Sequence, residues 1–315
     1  MFTWSFAVSI LNSLWVEKHK PKQLSDVIFK NEQEQEIFAK FLKNKSIPNL
    51  LLVGVQGTGK TTTSDVLVRE LGIDKMDVLR INCSDEKIDA MRDKVKTFAY
   101  TMPVGDFKIV QLEELDYAGP DAQALLRVLI EDVSESCRFI ATANYVNKII
   151  PAIQSRFQKI VFSLPNKDDI LIRAAEILEK EQIEFDVDTL DELVSVTYPD
   201  IRSTVTALEI YSSTGKLVLG KGSQSGIADW KFELLDLLEK GKFADARKLI
   251  CGSASKEELQ DIFSFLYQNS SKLKCQQDEA IVLIANYAYK HTFVADAELN
   301  VAALMIELGM LSGNN

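Results

Sequence analysis

A chain of 315 residues is longer than one hydrophobic core usually supports, so two or three domains are expected. An apolar content of 46% and a charged content of 26% are those of a globular protein and exclude a largely disordered chain. The net charge of −10 argues against a protein that coats nucleic acid nonspecifically.

The acidic excess lies in residues 166–315, whereas basic and acidic side chains balance in residues 1–165. The four cysteines are scattered without metal-ligand spacing, which predicts free thiols in a reducing compartment. Residues 1–13 form an apolar leader with no basic residue before Lys18, so it lacks the charged start of a signal peptide. The leader is too short and too polar to span a bilayer. We therefore predict a soluble, cytoplasmic protein with no membrane contact.

Apolar strand-like runs alternate with helix-like stretches in residues 1–165. This alternation predicts an α/β domain with a parallel sheet and helices on both faces. The predicted strands are "PNLLLVG", "DVLRINC", "FKIVQLEE", "CRFIATAN" and "QKIVFSL".

The second half of the chain is predicted to be helical throughout. Three amphipathic helices predict a small helical lid over residues 166–214. The Gly/Ser-rich residues 215–226 predict a linker. Residues 227–315 read as an all-α domain that begins with one long helix-like stretch over 229–250.

Residues 54–61, "GVQGTGKT", fit G-x-x-x-x-G-K-[ST] between a predicted strand and a predicted helix. In this P-loop, backbone amides and a lysine bind phosphates, and the following hydroxyl binds Mg²⁺. The motif therefore predicts ATP and Mg²⁺ as cofactors, with Thr61 as a metal ligand. The predicted nucleotide-binding residues here are Gly57, Thr58, Gly59, Lys60, Thr61 and Thr62.

The third predicted strand ends in two acids, Glu113 and Glu114. In this architecture the first acid orients Mg²⁺ and its waters, and the second polarises the attacking water. The first acid is usually Asp, and Mg²⁺ demands near-ideal octahedral geometry, so we expect Glu113 to act through water at a working but slower site. Solvated acids at a strand end are the alternative. Gln111, inside the same buried strand, must find a polar partner.

At residues 139–157 a strand ends in Ala-Asn, a short apolar helix follows, and Ser-Arg comes next. This pattern resembles the AAA+ subunits of sliding-clamp loaders, in which it ends in Ser-Arg-Cys. Residues 14–21, "LWVEKHKP", resemble the W-V-E-K-Y-R-P box of replication factor C. Residues 81–99 and 121–131 resemble that family's N-A-S-D box and its Q-x-x-L-R helix. The resemblance is strongest to the large subunit of tailed-phage clamp loaders, and it implies a P-loop domain, a lid and a helical collar.

The resemblance implies catalytic roles for three further residues. Asn144 would orient the attacking water with Glu114, although a strand-end Asn that caps the next turn would look the same. Arg156 would be an arginine finger that reaches a neighbouring subunit's ATP, and the alternative is a surface arginine in a turn. Arg202 would be a lid arginine that reaches the γ-phosphate of its own subunit, and the alternative is a helix-surface arginine.

The resemblance also assigns an adenine and ribose site in which His19-Lys20 replaces the usual Tyr-Arg. For Val16 and Ile28, the two apolar residues of this site, core packing is the alternative. The assigned residues are Val16, Glu17, Lys18, His19 and Ile28. Gln123 and Arg127 would couple ATP to DNA, unless they lie on a solvated helix face.

A basic stripe follows the "NCSD" residues and would track a phosphate backbone inside a ring. Aspartates dilute the stripe, so an ordinary exposed helix is an equal alternative. Its residues are Lys87, Arg92, Lys94 and Lys96.

We therefore predict an ATPase subunit of a clamp loader, acting in the host cytoplasm if phage-encoded. A finger in trans requires a neighbour, so the implied partners are other copies of the chain in a ring or spiral, a smaller subunit, the sliding clamp and primer–template DNA. Two alternatives remain at this point. One is another AAA+ machine, such as a helicase loader or branch-migration motor, and the other is a non-hydrolysing ATP-binding scaffold.

Overall fold

The computed structural model describes residues 14–85, 88–219, 229–254 and 258–313, so the leader and most of the linker lie outside the described residues. The chain divides into two compact units. The first runs to Arg173 and includes Pro199–Val205, and the second contains Ala174–Tyr198 and the residues from Thr206 onwards. The division at residues 165, 214 and 226 stays a prediction.

The first unit contains a five-stranded, all-parallel sheet with the order β2-β3-β4-β1-β5, as the strand–helix alternation predicted. Because the strands are parallel, the carboxyl ends of β1, β3 and β4 meet at one edge, and this edge carries the P-loop, the acidic pair and Asn144. The strands are β1 (Leu50–Gly54), β2 (Val78–Asn82), β3 (Lys108–Glu113), β4 (Cys137–Ala143) and β5 (Gln158–Phe162).

Helices cover both faces of the sheet, because successive strand residues point to opposite faces and both sets are apolar. On one face, Leu51 and Phe139 pack with Leu126. On the other face, Leu52 packs with Phe38. The helices of this unit are α1 (Trp15–Lys18), α2 (Glu32–Asn44), α3 (Lys60–Glu70), α4 (Ile88–Ala99), α5 (Pro120–Asp132) and α6 (Pro151–Gln154).

The remaining described elements are helices, which agrees with the helical lid and collar of the predicted fold class. Of these, α7 and α9 each contribute residues to both units. They are α7 (Lys167–Lys180), α8 (Val187–Thr197), α9 (Ile201–Tyr211), α10 (Asp229–Glu239), α11 (Phe243–Ser253), α12 (Glu258–Gln268), α13 (Gln277–His291) and α14 (Ala297–Gly313). None of the described helices is long and apolar enough to cross a bilayer.

The prediction of one continuous stretch over residues 229–250 was wrong, because the chain turns at Gly241. This glycine has a φ of 71°, the left-handed conformation that ends many helices. Gly241 N–H donates to the Leu238 carbonyl at 3.1 Å and Lys242 N–H donates to the Leu237 carbonyl at 2.8 Å. These two bonds form a Schellman motif, which ends α10 before α11 begins.

The close pairing of β1 and β5 generates a test. A Cβ added to Gly54 would lie 2.5 Å from the carbonyl oxygen of Phe162, its partner in the ladder. We expect Gly54→Ala to destabilise the first unit by about 1–3 kcal/mol, because the strands must separate to admit the methyl group. The midpoint temperature of unfolding measures this loss.

Gly119→Ala is the matched control, since a Cβ there meets no heavy atom within 4 Å. Its cost should stay below about 1 kcal/mol, because the change only replaces the glycine N-cap of α5 by a poorer capping residue. Equal midpoints for the two variants would contradict the packing of β1 against β5.

Candidate functional site

The P-loop turn runs from the end of β1 into the first residue of α3. Gly57 and Gly59 have φ values of 79° and 87°, which only glycine adopts without strain. Thr58 is buried and donates its hydroxyl to the Val55 carbonyl at 2.7 Å, which closes the turn. The turn thus ends at a helix N-terminus, whose first amides have no acceptor within the helix and suit an anion.

Lys60 lies inside this turn with only 8% of its surface exposed. Its ammonium group donates to the carbonyls of Gly54 at 2.9 Å and Val55 at 2.7 Å, and to Asn144 Oδ1 at 3.0 Å. Burial lowers the pKa of Lys60 to about 8, and the nearby carboxylates of Asp116 and Glu114 oppose that shift. The predicted phosphate lysine and the predicted sensor Asn144 are therefore in direct contact.

The acidic pair lies at the end of β3. Glu114 has a φ of 55°, a strained conformation for a residue other than glycine, and its N–H donates to Thr142 Oγ1 at 3.1 Å. Glu113 Oε1 lies 3.2 Å from Arg80 Nε but makes no well-directed hydrogen bond. The bend at Glu114 sends the two acids of one strand end in different directions, so each has its own surroundings.

Asp116 is a site residue that the sequence analysis missed. Its side chain is buried, and Oδ2 accepts from the backbone N–H groups of Asn144 at 3.2 Å and Tyr145 at 3.1 Å. Among the described residues, Oδ1 has no hydrogen-bond partner. The carboxylate thus fixes the backbone that carries Asn144. A third acid in "EELD" was the available signal, but the sequence does not reveal which strand it meets.

Gln123 and Arg127, one turn apart on α5, lie in different surroundings. Gln123 is buried, and its amide donates to the carbonyls of Ala118 at 2.9 Å and Lys148 at 3.0 Å. Its Oε1 accepts from Ile150 N–H at 2.8 Å. Arg127 is exposed. Gln123 therefore joins the start of α5 to the segment before α6. The alternative of a solvated helix face applies to Arg127 and not to Gln123.

Arg156 follows α6 and is paired within its own chain. Its Nε donates to Glu131 Oε1 at 2.9 Å, and its Nη2 approaches the same oxygen. A further guanidinium nitrogen donates to the Ala152 carbonyl at 2.6 Å. Nothing in the sequence around Glu131 predicted this pairing. The next residue, Phe157, packs in the core beneath.

Arg202 lies in the first turn of α9, next to the P-loop. Asp200 accepts from Arg202 N–H at 2.9 Å through Oδ1. A Cβ on Gly57 would lie 2.3 Å from the same oxygen, and Ile201 N–H donates to the Gly57 carbonyl at 3.4 Å. Asp200 and Ile201 therefore contact the phosphate-binding turn directly, and the predicted lid arginine is the next residue in the chain.

The predicted adenine-site residues lie in and after α1. Val16 and Ile28 are half-buried, Glu17 and Lys18 are exposed, and His19 contacts Trp15 with ring centroids 6.0 Å apart. The next residues are fixed along α3, where Lys20 Nζ lies 2.9 Å from Asp65 Oδ2 and Leu24 N–H donates to Glu70 Oε2 at 3.1 Å. The adenine assignment stays a prediction.

The predicted DNA-contacting stripe is partly described. Arg92, Lys94 and Lys96 are exposed on α4, as is Asp93 between them, whereas Lys87 lies outside the described residues. The exposure agrees with both a phosphate-tracking stripe and an ordinary solvated helix face.

The donor set fits a magnesium nucleotide. Mg²⁺ is usually held by one or two protein oxygens together with phosphates and waters, and Thr61 and Glu113 supply such oxygens beside the turn. The carboxylate of Glu113, one oxygen of which is buried without a hydrogen bond, is an acceptor of the hard kind that this ion prefers. The turn amides and Lys60 supply the complementary donors for the phosphates.

Two family models match consecutive parts of the chain, and they meet near residue 165. Residues 50–164 match the family "ATPase family associated with various cellular activities (AAA)". Residues 166–220 match the "sliding-clamp-loader large subunit, AAA+ ATPase lid domain". The replication factor C small subunit of Saccharolobus solfataricus is 35% identical and covers 94% of this chain and 94% of its own length. That of Archaeoglobus fulgidus is 38% identical over 75% of this chain and 77% of its own length.

Among solved structures, the Thermotoga maritima RuvB Holliday junction branch migration motor superposes with a TM-score of 0.52. It is 14% identical and covers 70% of this chain and 79% of its own. At that identity the likeness concerns the fold alone.

The pKa of Lys60 predicts how nucleotide affinity depends on pH. Phosphates stabilise the ammonium form, so binding above about pH 8 requires proton uptake by Lys60. Affinity measured in EDTA should be constant below that pH and fall by up to about tenfold per pH unit above it. Calorimetric titration in buffers of different ionisation enthalpy measures both the affinity and the proton uptake.

Asp116→Asn should shift this pH dependence to lower pH, because the carboxylate of Asp116 raises the pKa of Lys60. Asp121→Asn, an exposed acid in the first turn of α5, is the control and should leave the profile unmoved. An affinity that stays flat through pH 10 in the unchanged protein would contradict the burial of Lys60.

Proposed function

The chain belongs to the replication factor C small-subunit family of clamp-loader ATPases, and we propose on that basis that it opens a polymerase clamp and loads it onto primer–template DNA. It is an ATPase subunit of a sliding-clamp loader. The observation that carries the loading proposal is the contact of Lys60 with Asn144 in an intact P-loop, because it joins the nucleotide site to the predicted sensor.

Nucleotide binding would change the partners of Lys60. Phosphate oxygens are charged acceptors and are stronger than the carbonyls of Gly54 and Val55 that the ammonium group contacts now. Gly57, Thr58, Gly59, Thr61 and Thr62 would bind the same phosphates. When Lys60 moves towards them, the Asn144 amide loses its partner and becomes available to a water molecule.

Hydrolysis in our proposal uses both acids at the end of β3. Glu114 would polarise the water that Asn144 orients. Glu113, through water, and Thr61 would hold Mg²⁺, which neutralises phosphate charge when bound. Arg202 would contact the γ-phosphate of its own subunit, since Asp200 and Ile201 contact the P-loop at Gly57. Val16, Glu17, Lys18, His19 and Ile28 would surround the base and ribose.

We propose that Arg156 completes the site of a neighbouring copy. Its pair with Glu131 is partly exposed, with a quarter of the arginine side chain accessible, so the guanidinium can change partners. Gln123 and Arg127 would transmit DNA contact to the ATP site. Gln123 has the contacts for that role, since it bonds to Ala118, four residues after the acidic pair, and to the segment before α6.

We also propose the composition and source of the complex. Several copies of this chain would form a spiral with one smaller subunit, as the large subunit of a tailed-phage loader in the cytoplasm of the host cell. The match of residues 166–220 to a clamp-loader large-subunit lid supports this view. Native mass measurement of the co-purified complex tests it, and a complex without a second, smaller chain would refute it.

The competing branch-migration function has weaker support. The likeness to that motor is one of fold at 14% identity, whereas the clamp-loader relatives are 35% and 38% identical. Translocation along duplex DNA in the absence of any clamp would favour the motor instead.

The basic residues of α4 provide a test of DNA contact. Replacing Arg92, Lys94 and Lys96 with Gln should weaken DNA binding by the loader and lower the slope of log affinity against log salt by about 0.9 per lost phosphate contact. Fluorescence anisotropy with primed DNA at several salt concentrations measures the slope. An unchanged slope would show that α4 is an ordinary exposed helix.

The arginine finger generates the second test. Arg156→Ala should lower the ATPase rate with clamp and primed DNA by about 10³–10⁵, because transition-state charge loses its partner, while nucleotide binding persists. Arg69→Ala, an exposed arginine on α3, is the control and should keep the stimulated rate.

Mixing variants distinguishes a finger in trans from a structural role. Complexes that combine Arg156→Ala subunits with Lys60→Ala subunits should recover part of the rate, because some interfaces pair an intact turn with an intact finger. No recovery at any mixing ratio, or full activity of permanently monomeric protein, would refute action in trans.

A further inference from the structure

A polar network links Lys20, two residues after the end of α1, with α3 and with the neighbouring strands β2 and β3. In the β2–β3 ladder, Arg80 is paired with Gln111 and Asn82 with Glu113. Because strand side chains alternate between faces, Arg80, Gln111 and Glu113 lie on one face of the sheet. Their contacts with Ser64 and Asp65 identify it as the face that α3 covers.

Asp65 is the centre of this network. Its side chain is only 10% exposed, and its carboxylate meets three donors. Lys20 Nζ lies 2.9 Å from Oδ2, Gln111 Nε2 lies 3.3 Å from Oδ1, and the guanidinium of Arg80 pairs with the same Oδ1. A carboxylate with this number of partners is held in one position.

Gln111 has the polar partners that its place in a buried strand requires. Its amide donates to Ser64 Oγ at 2.7 Å as well as approaching Asp65. The glutamine thus belongs to an ordered network and is not a sign of a decayed strand.

Arg80 bridges the network to the catalytic edge. One end of its guanidinium pairs with Asp65, and its Nε lies 3.2 Å from Glu113 Oε1. The contacts between described residues engage only this oxygen of Glu113. The second oxygen of the carboxylate therefore remains for the metal and its waters.

Three departures from the clamp-loader pattern meet here. Lys20 stands in the box that usually reads Tyr-Arg-Pro, Gln111 stands in an apolar strand, and Glu113 stands where the family has Asp. All three contact Asp65 or Arg80. Glu113 is one methylene group longer than Asp, so its carboxylate extends further towards Arg80 on the neighbouring strand.

We propose that Arg80, itself held by Asp65, is a positioning residue that fixes the carboxylate of Glu113 for Mg²⁺. The inference rests on the magnesium role proposed for Glu113. The arginine side chain is 47% exposed, so the pair adds little to stability and its effect is on orientation. An outer partner of this kind restores the geometry that a flexible Glu would otherwise lose.

A purely neutralising arginine would act in the opposite direction. Removing a cation beside Glu113 would make the site more negative and would tighten Mg²⁺ binding. Positioning and neutralisation therefore predict opposite changes in the magnesium requirement, and one measurement separates them.

The experiment follows binding of a fluorescent, non-hydrolysable ATP analogue to the full chain during Mg²⁺ titration. Arg80→Ala should raise the half-saturating Mg²⁺ concentration about tenfold, the low end of what outer-shell partners cost. Asp65→Asn should raise it less, since Arg80 keeps one of its two contacts. Affinity for the analogue in EDTA should stay unchanged in both, and Arg69→Ala should match the unchanged protein in both readouts.

Two further variants protect the test from effects of misfolding. Arg80→Lys keeps the charge and the strand but cannot bridge two carboxylates, so it should also raise the magnesium requirement. Glu113→Asp should raise the half-saturating Mg²⁺ concentration when Arg80 is present. It should raise that concentration no further in the Arg80→Ala variant, because the two residues act through one contact.

The outcomes separate this inference from the proposed function. An unchanged or lowered magnesium requirement in Arg80→Ala, or a normal one in Arg80→Lys, overturns the positioning role. If Glu113→Ala itself leaves the requirement unchanged, the magnesium role of Glu113 fails and the positioning role fails with it. ATPase stimulation by clamp and DNA would then still test the loader function independently.

Discussion

The burial of one ammonium group organises the catalytic edge of the sheet. Lys60 is almost enclosed, so each of its donors needs an acceptor, because an unpaired buried charge is far more costly than a paired one. Two acceptors are carbonyls of the turn and the third is the side chain of Asn144, at the end of another strand. The same contact that satisfies the lysine therefore sets the distance between the phosphate turn and the side-chain amide of Asn144, the predicted sensor.

The acids around this lysine have separate tasks because the backbone separates them. Asp116 points at the N–H groups of the β4 end, Glu114 leaves the strand through a left-handed bend, and Glu113 continues along β3 towards Arg80. Residues 113–116 thus give one acid that holds the backbone of the predicted sensor Asn144, one beside the lysine and one beside the neighbouring strand.

Local signals in the sequence predicted the elements but not the contacts between them. Apolar runs gave the five strands, and "GVQGTGKT" predicted the turn, because both depend on neighbours along the chain. The need of Gln111 for a partner was also predictable, since an amide in a buried strand cannot stay unpaired. Its actual partners depend on the β2–β3 register and on the rotation of α3. For the same reason Asp65, Arg80 and Glu131 carried no recognisable signal, and the third acid of "EELD" did not reveal the partners of Asp116. The turn at Gly241 was hidden in a helical composition.

Gly57 is constrained twice, by its backbone and by its surroundings. Asparagine tolerates a positive φ better than most residues, but any side chain at this position would occupy the space of the Asp200 carboxylate. The Gly57 peptide also accepts a hydrogen bond from Ile201, at the start of the helix that carries Arg202. The P-loop and the N-terminal end of α9 are therefore in direct contact, through a backbone hydrogen bond and through the Asp200 side chain. A shift of this loop would therefore alter a backbone contact at the start of the helix that carries Arg202.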